Sequence, residues 1–174
     1  MATKLRHSLD FSCPPAQFAA AVTSEQYWHD LVANVAADVS ELESFTATDD
    51  EVRVVLQQRI PEKNLPSVVT KIRKGDLEIA RTVVWSVTGG EVGNGTFSAV
   101  VTGAPAKVNG TQTLVAAGTG AQVIFEGSVE VSIPLIGGKI EKQIAKEVQA
   151  LIDAERDYTI AWIGQQGSAA PDSQ

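Results

Sequence analysis

Cys13 is the only cysteine in a chain of 174 residues, so no internal disulfide can form, which fits a reducing compartment. Histidine is nearly as scarce, with only His7 and His29. A zinc site needs three or four converging ligands, and one thiol with two imidazoles offers no paired spacing to build it; no metal and no other cofactor is expected. Long apolar runs are missing too. None approaches the roughly 18 residues of a membrane-spanning helix, which excludes stable membrane insertion by that route. The N-terminal MATKLRHSLDF has no apolar signal-peptide core, and a cytoplasmic location is the expectation. Positive charge is in deficit: 14 Lys and Arg against 21 Asp and Glu leave a net charge of −7, with the basic residues scattered along the sequence. Nucleic acid and anionic membrane surfaces both call for concentrated basic charge, so neither is an expected partner.

Signatures of catalysis are absent as well. No Gly-x-Ser-x-Gly elbow occurs, and Cys13, followed by two prolines, has no neighbouring base. Gly138-Lys139 invites a phosphate-loop reading, but Ile133 stands where the loop needs its first glycine and Ile140 where it needs Ser or Thr. The glycines read instead as a strand-to-helix turn. Asn94-Gly95-Thr96 and Asn109-Gly110-Thr111 match the glycosylation sequon; without a leader they read as tight hairpin turns.

What is present is strong periodicity. Thr3 to Phe11 alternates, with Leu5, His7, Leu9 and Phe11 on one face, and predicts a half-buried strand that Pro14-Pro15 ends. Two short helices follow, Pro15 to Val22 and one capped by Ser24. Strands are then expected at Val39 to Thr48, Val52 to Ile60, Leu77 to Val87, Thr96 to Thr102, Gln112 to Ala117 and Ala121 to Ile133. Leu65, Val68, Val69 and Ile72 fit a short helix between two of them. From Lys139 to Ile163 a helix on the order of 37 Å long is predicted, with Ile140, Ile144, Val148, Leu151, Ile152, Tyr158 and Trp162 forming an apolar stripe. The fold class is α+β: a curved antiparallel sheet of about seven strands against a long last helix. One domain spans 1–164, and the polar tail 165–174 is expected to be disordered.

The helix pair at Pro14 to Ala37, the Ile133-Pro134-Leu135-Ile136-Gly137-Gly138-Lys139 turn into the last helix, and the order of elements resemble the helix-grip fold of the START-like superfamily. Its relatives include the birch-pollen allergen family, polyketide cyclases and aromatases. Trp85 and the Pro-Leu-Ile-Gly-Gly turn more narrowly resemble an uncharacterised actinobacterial branch, a domain family of unknown function. The resemblance implies a hydrophobic cavity between the sheet and the last helix.

Polar residues on otherwise apolar faces are then the candidate ligand contacts. His7, Gln58, Arg81 and Tyr158 fit that description, with Trp85 and Trp162 on the same interior. Each has a plainer alternative. His7 on an apolar face can be a satisfied core residue. Arg81 meets a carboxylate, reaches water at a strand end, or holds an anionic ligand group, because a buried guanidinium is costly unless paired. Leu65, Val68, Val69 and Ile72 form either a lid over the cavity or a cap on the sheet. The favoured function is binding or transport of a hydrophobic small molecule such as a lipid, polyketide or isoprenoid. A cyclase- or aromatase-like enzyme using His7 or Tyr158, and a ligand-free interaction or stress module with a filled core, are the alternatives.

Overall fold

Pro14 and Pro15 set where the first strand stops. The computed structural model describes residues 2–35 and 40–168. Strand β1 (Ala2–Phe11) gives way to helix α1 (Pro15–Val22), which starts on a proline already fixed near helical φ. Helix α2 (Glu25–Asn34) follows, and then β2 (Ser40–Ala47) and β3 (Glu51–Ile60). The β3–β4 connection holds a 3-10 turn and the one-turn helix α3 (Ser67–Thr70). Strands β4 (Leu77–Thr88), β5 (Glu91–Val101), β6 (Ala106–Ala117) and β7 (Gly120–Val131) run by hairpins into α4 (Gly137–Ser168).

All pairings are antiparallel in one seven-stranded sheet of order β1-β7-β6-β5-β4-β3-β2. The chain therefore meanders from β2 to β7, and β1 closes the far side against β7. Helix α4 lies over the concave face. Its 32 residues are roughly 48 Å long at ~1.5 Å per residue.

Two buried clusters hold the helix at its ends. Leu5, Val108, Val129 and Ala145, with Ile144 and Val148 beside them, fix its first half to β1, β6 and β7. Ile152 and Trp162 join Phe11, Phe18, Tyr27, Trp28 and Trp85 in a larger cluster that α1 and α2 close off. The rings meet edge-on or tilted, Phe18 on Trp85 at 5.6 Å and Tyr27 on Trp162 at 5.3 Å, contacts worth about 0.5–1.5 kcal/mol each beyond burial.

Three expectations change. Asn94-Gly95 and Asn109-Gly110 are not hairpin turns but lie inside β5 and β6; the turns fall at Gly89-Gly90, Gly103 and Gly118, all with positive φ. A Cβ at Gly95 would stand 2.1 Å from the Val84 carbonyl oxygen, so glycine serves close strand approach there. The turn into α4 is made by Leu135 at φ 71°, while Gly137 already belongs to the helix. Helix α4 also continues past Gly164 to Ser168, which shortens the expected tail; 169–174, and Val39 at the expected start of β2, lie outside the described residues.

Glu141 pins the start of α4. Its side chain is 1 % exposed, accepts a hydrogen bond from the Val131 backbone N–H at 2.9 Å and another from the Thr3 hydroxyl at 2.8 Å. The Val131 N–H chiefly holds the carboxyl below its ordinary 4.5, with burial opposing and Thr3 assisting. A carboxyl with a depressed folded pKa contributes stability above its unfolded pKa and loses it as pH falls through the folded value. Glu141→Gln should therefore lower Tm at neutral pH by several degrees. Its Tm should also fall less steeply than that of the unaltered protein on acidification below about pH 5, a comparison made by thermal melts across pH.

Candidate functional site

Between the concave face and α4 the structure encloses a cavity of about 520 Å³, within the ~300–1,000 Å³ range of small-molecule sites. Its deep end is sealed: Phe11, Phe18, Val22, Trp28 and Trp85 line it and are all buried. Its exposed lining residues (Pro66, Ile72, Gly103, Pro105, Lys107 and Glu147) sit on the β3–β4 connection, the β5–β6 turn and the first half of α4. The cavity opens at that end.

Arg81 is the principal polar feature of the wall. It stands mid-strand in β4, between Leu56 and Ala99 of the neighbouring strands, and reaches α4. Its two terminal nitrogens donate to the two carboxylate oxygens of Glu155 at 2.6 and 2.7 Å, and both side chains are 15 % exposed. Burial works against the guanidinium charge, but the facing carboxylate raises its pKa above the ordinary value. The pair is a bidentate, charge-assisted bridge from sheet to helix. Of the alternatives for Arg81, the carboxylate partner is the one found.

The other sequence-predicted residues divide. Gln58 and Trp85 line the cavity, and the Gln58 amide donates to the Ser40 hydroxyl at 3.2 Å. Leu65, Val68, Val69 and Ile72 all line its open end. His7, Tyr158 and Trp162 are not among the lining residues. His7 lies on edge strand β1, where the inner face meets the flank of α4, and its Nε2 contacts Asp153 Oδ1 at 2.7 Å. Tyr158 turns to α2 and accepts from the Asn34 amide at 3.2 Å; Trp162 donates its indole N–H to Asp30 at 2.9 Å. Both fasten α4 to α2.

Sequence reasoning missed Glu155, Gln112, Tyr27 and Thr159, which all line the cavity. Glu155 comes four residues after Leu151 and three after Ile152, so a carboxylate within the apolar stripe was its signal. Thr159 follows by four more. The Tyr27 and Thr159 hydroxyls share a 2.6 Å hydrogen bond, the Thr159 hydroxyl also donating to the Glu155 carbonyl, and burial pushes the Tyr27 pKa upward so that it stays neutral. Gln112, 3 % exposed, donates to the Val84 carbonyl at 3.3 Å. Among the described residues no cluster of His, Cys, Asp or Glu is arranged to hold a metal ion.

A curved antiparallel sheet gripping a long C-terminal helix, with short helices after the first strand, is the helix-grip fold. Solved structures agree in fold. A protein from Thermus thermophilus, TTHA0849, superposes with TM-score 0.57 at 14 % identity over 91 % of this chain and 98 % of its own. Ara h 8.0201 gives 0.57 at 11 % identity, covering 92 % and 99 %. Dicamba monooxygenase with bound 3,6-dichlorosalicylic acid gives 0.60 at 13 % identity, covering 98 % of this chain and 52 % of that one.

Within that class, the chain belongs to the family described as a protein of unknown function, DUF2505, which matches residues 6–163. Its relatives include the uncharacterized proteins Rv0481c of Mycobacterium tuberculosis and Mb0491c of Mycobacterium bovis. Each is 28 % identical over 163 residues, covering 90 % of this chain and 94 % of the relative.

Proposed function

We propose that the protein binds, and in binding carries, a largely apolar small molecule of lipid, polyketide or isoprenoid kind in the cavity between sheet and α4. The observation that carries this reading is an apolar chamber of about 520 Å³ in which the guanidinium at mid-wall, Arg81, is already neutralised by Glu155. Transfer of apolar surface into it is favourable by ~25 cal/mol per Å². An anionic group taken to the middle of the cavity would have to displace Glu155 from Arg81, so the buried part of the ligand is uncharged. Gln58, Gln112, Ser98 and the Tyr27–Thr159 pair offer neutral hydrogen-bonding groups to orient it.

An acid–base reaction within the cavity gains little support from the two residues nominated for it, because His7 and Tyr158 face elsewhere. Binding without turnover is the simpler use of this wall. Leu65, Val68, Val69 and Ile72, gathered over the opening, act in this reading as the lid.

Organic extraction of the purified protein followed by mass spectrometry tests the proposal, with thermal melts over a lipid, polyketide and isoprenoid panel beside it. A true ligand at 100 times its Kd stabilises by about 2.7 kcal/mol, a Tm rise of roughly 5–11 °C for a chain this size. Ala99→Trp, which places an indole into the lined space, should abolish that rise while leaving the ligand-free Tm within a few degrees. No extractable ligand, together with no panel compound that raises Tm, would sink the proposal.

A further inference from the structure

The fold gathers basic and apolar groups that look dispersed in the sequence. The cavity's open end is built from 61–76, 102–107 and 132–142, which together hold seven of the 14 Lys and Arg but three of the 21 Asp and Glu. This end is therefore net positive on a chain whose net charge is −7. Lys63, Lys71, Lys74, Lys139 and Lys142 are exposed and have no ion pair among the described residues. The three acids of these segments are engaged: Glu141 is buried, Glu62 accepts from the Gly75 N–H, and Asp76 accepts from the Glu62 N–H and faces Arg59; of the acids beside them, Glu130 pairs with Lys107 and Glu147 accepts from the Gln143 amide.

The large hydrophobic side chains left exposed among the described residues collect at the same end: Ile72 at 47 %, Val100 at 52 % and Leu135 at 105 %. Leu135 is the most telling. It holds φ 71°, a left-handed backbone that glycine or asparagine adopts more readily, and its side chain buries nothing within the molecule. Neither backbone preference nor internal packing accounts for a leucine there. The loops form one tied surface. Arg73 donates to the Thr102 carbonyl at 2.6 Å, the Ser132 N–H to the Pro105 carbonyl at 2.9 Å, and the Val131 N–H to Glu141.

We propose that this end is a docking face for an anionic phospholipid bilayer, with Leu135 and Ile72 entering the headgroup–acyl boundary and the lysines meeting lipid phosphates. Apolar side chains ringed by lysine suit that interface, since each ammonium can stay hydrated at the headgroups while its neighbours leave water. The face concentrates positive charge and exposed apolar surface where the rest of the molecule carries the negative charge, so approach is oriented with the cavity mouth toward the lipid. A second copy of this chain would bring like charge against like charge. Docking concerns the outer surface and does not depend on what the cavity holds.

Flotation of the full chain with vesicles of phosphatidylcholine alone, or mixed with phosphatidylglycerol, tests it. Binding is expected with the mixed vesicles at low salt, and weakening at high salt as the Debye length contracts from ~30 Å at 0.01 M to ~3 Å at 1 M. Leu135→Asn, which suits the left-handed backbone, combined with Ile72→Asn should reduce binding roughly tenfold or more with Tm unchanged. Lys71→Glu with Lys139→Glu should do the same. Absence of binding to the mixed vesicles, or binding indifferent to both pairs of substitutions, overturns the proposal. So does a dimer in solution that Leu135→Asn dissociates while vesicles go unbound, because the apex then serves a second copy.

Discussion

Arg81→Leu alone is expected to remove about 3–5 kcal/mol of unfolding free energy, because it leaves the Glu155 carboxylate buried against the cavity wall without its partner. For a chain of this length that is a Tm loss of roughly 6–20 °C. The double variant Arg81→Leu/Glu155→Leu should behave differently. It removes both charges together, along with their desolvation penalties, and is expected to lie within about 1 kcal/mol of the unaltered protein or above it. Urea unfolding of the four proteins in the cycle gives the coupling directly. If the single and double variants are equally destabilised, the 2.6 and 2.7 Å contacts are not the energetic bridge that their geometry implies. The same double variant reports on ligand orientation. Without the pair, a wholly hydrocarbon ligand should bind at least as well, whereas one carrying a polar group that the pair hydrogen-bonds should bind less well.

The sequence disclosed that Arg81 needed an explanation but not which one. A guanidinium on the apolar face of a strand demands a partner, and the partner stood 74 residues away on another element. Only the crossing of α4 over β4 brings them together. Tyr158 and Trp162 fall outside the cavity lining for a related reason. A stripe read at three- and four-residue steps is wide, and around α4 it divides between two neighbours: Thr159 faces the cavity, while Tyr158 and Trp162 turn to α2 through Asn34 and Asp30. His7 showed the limit of alternation. Period-two patterning identifies a face, yet on edge strand β1 that face meets the flank of the helix and Asp153.

The architecture was more legible than the site because it rests on periodicities that repeat over many residues. Seven alternating segments and one long helical stripe leave few arrangements that bury every apolar face. The basic end was illegible for the opposite reason. Lys63, Lys71, Lys74, Lys107, Lys139 and Lys142 are spread over most of the chain's middle and become neighbours only when the β3–β4, β5–β6 and β7–α4 connections meet at one end of the sheet. Net charge alone argued against a membrane partner; its distribution on the fold is what reopened the question.

Gly110→Val should cost about 3 kcal/mol, a Tm loss of roughly 6–12 °C. Gly110 lies opposite Gly127 of β7 on one side and Phe97 of β5 on the other. A Cβ there would stand 2.2 Å from the Glu126 carbonyl oxygen and 2.6 Å from the Gly127 Cα. Both are backbone atoms, so no rotamer change can clear the way and the strands themselves must part. The Phe97 ring tip, at 2.7 Å, could swing aside but would do so into the cavity that it lines. Gly93→Val is the control within the same sheet. Gly93 also sits inside a strand, at the register shift where β5 meets β4; its φ is not positive and its added Cβ would meet nothing within 4 Å, so this change should be near neutral. A large loss for Gly110→Val beside none for Gly93→Val would locate the sheet's tight bend at the Gly110–Gly127 contact. Equal effects would mean that glycine is merely tolerated there, and that the curvature which makes room for a ligand comes from the twist of the strands as a whole.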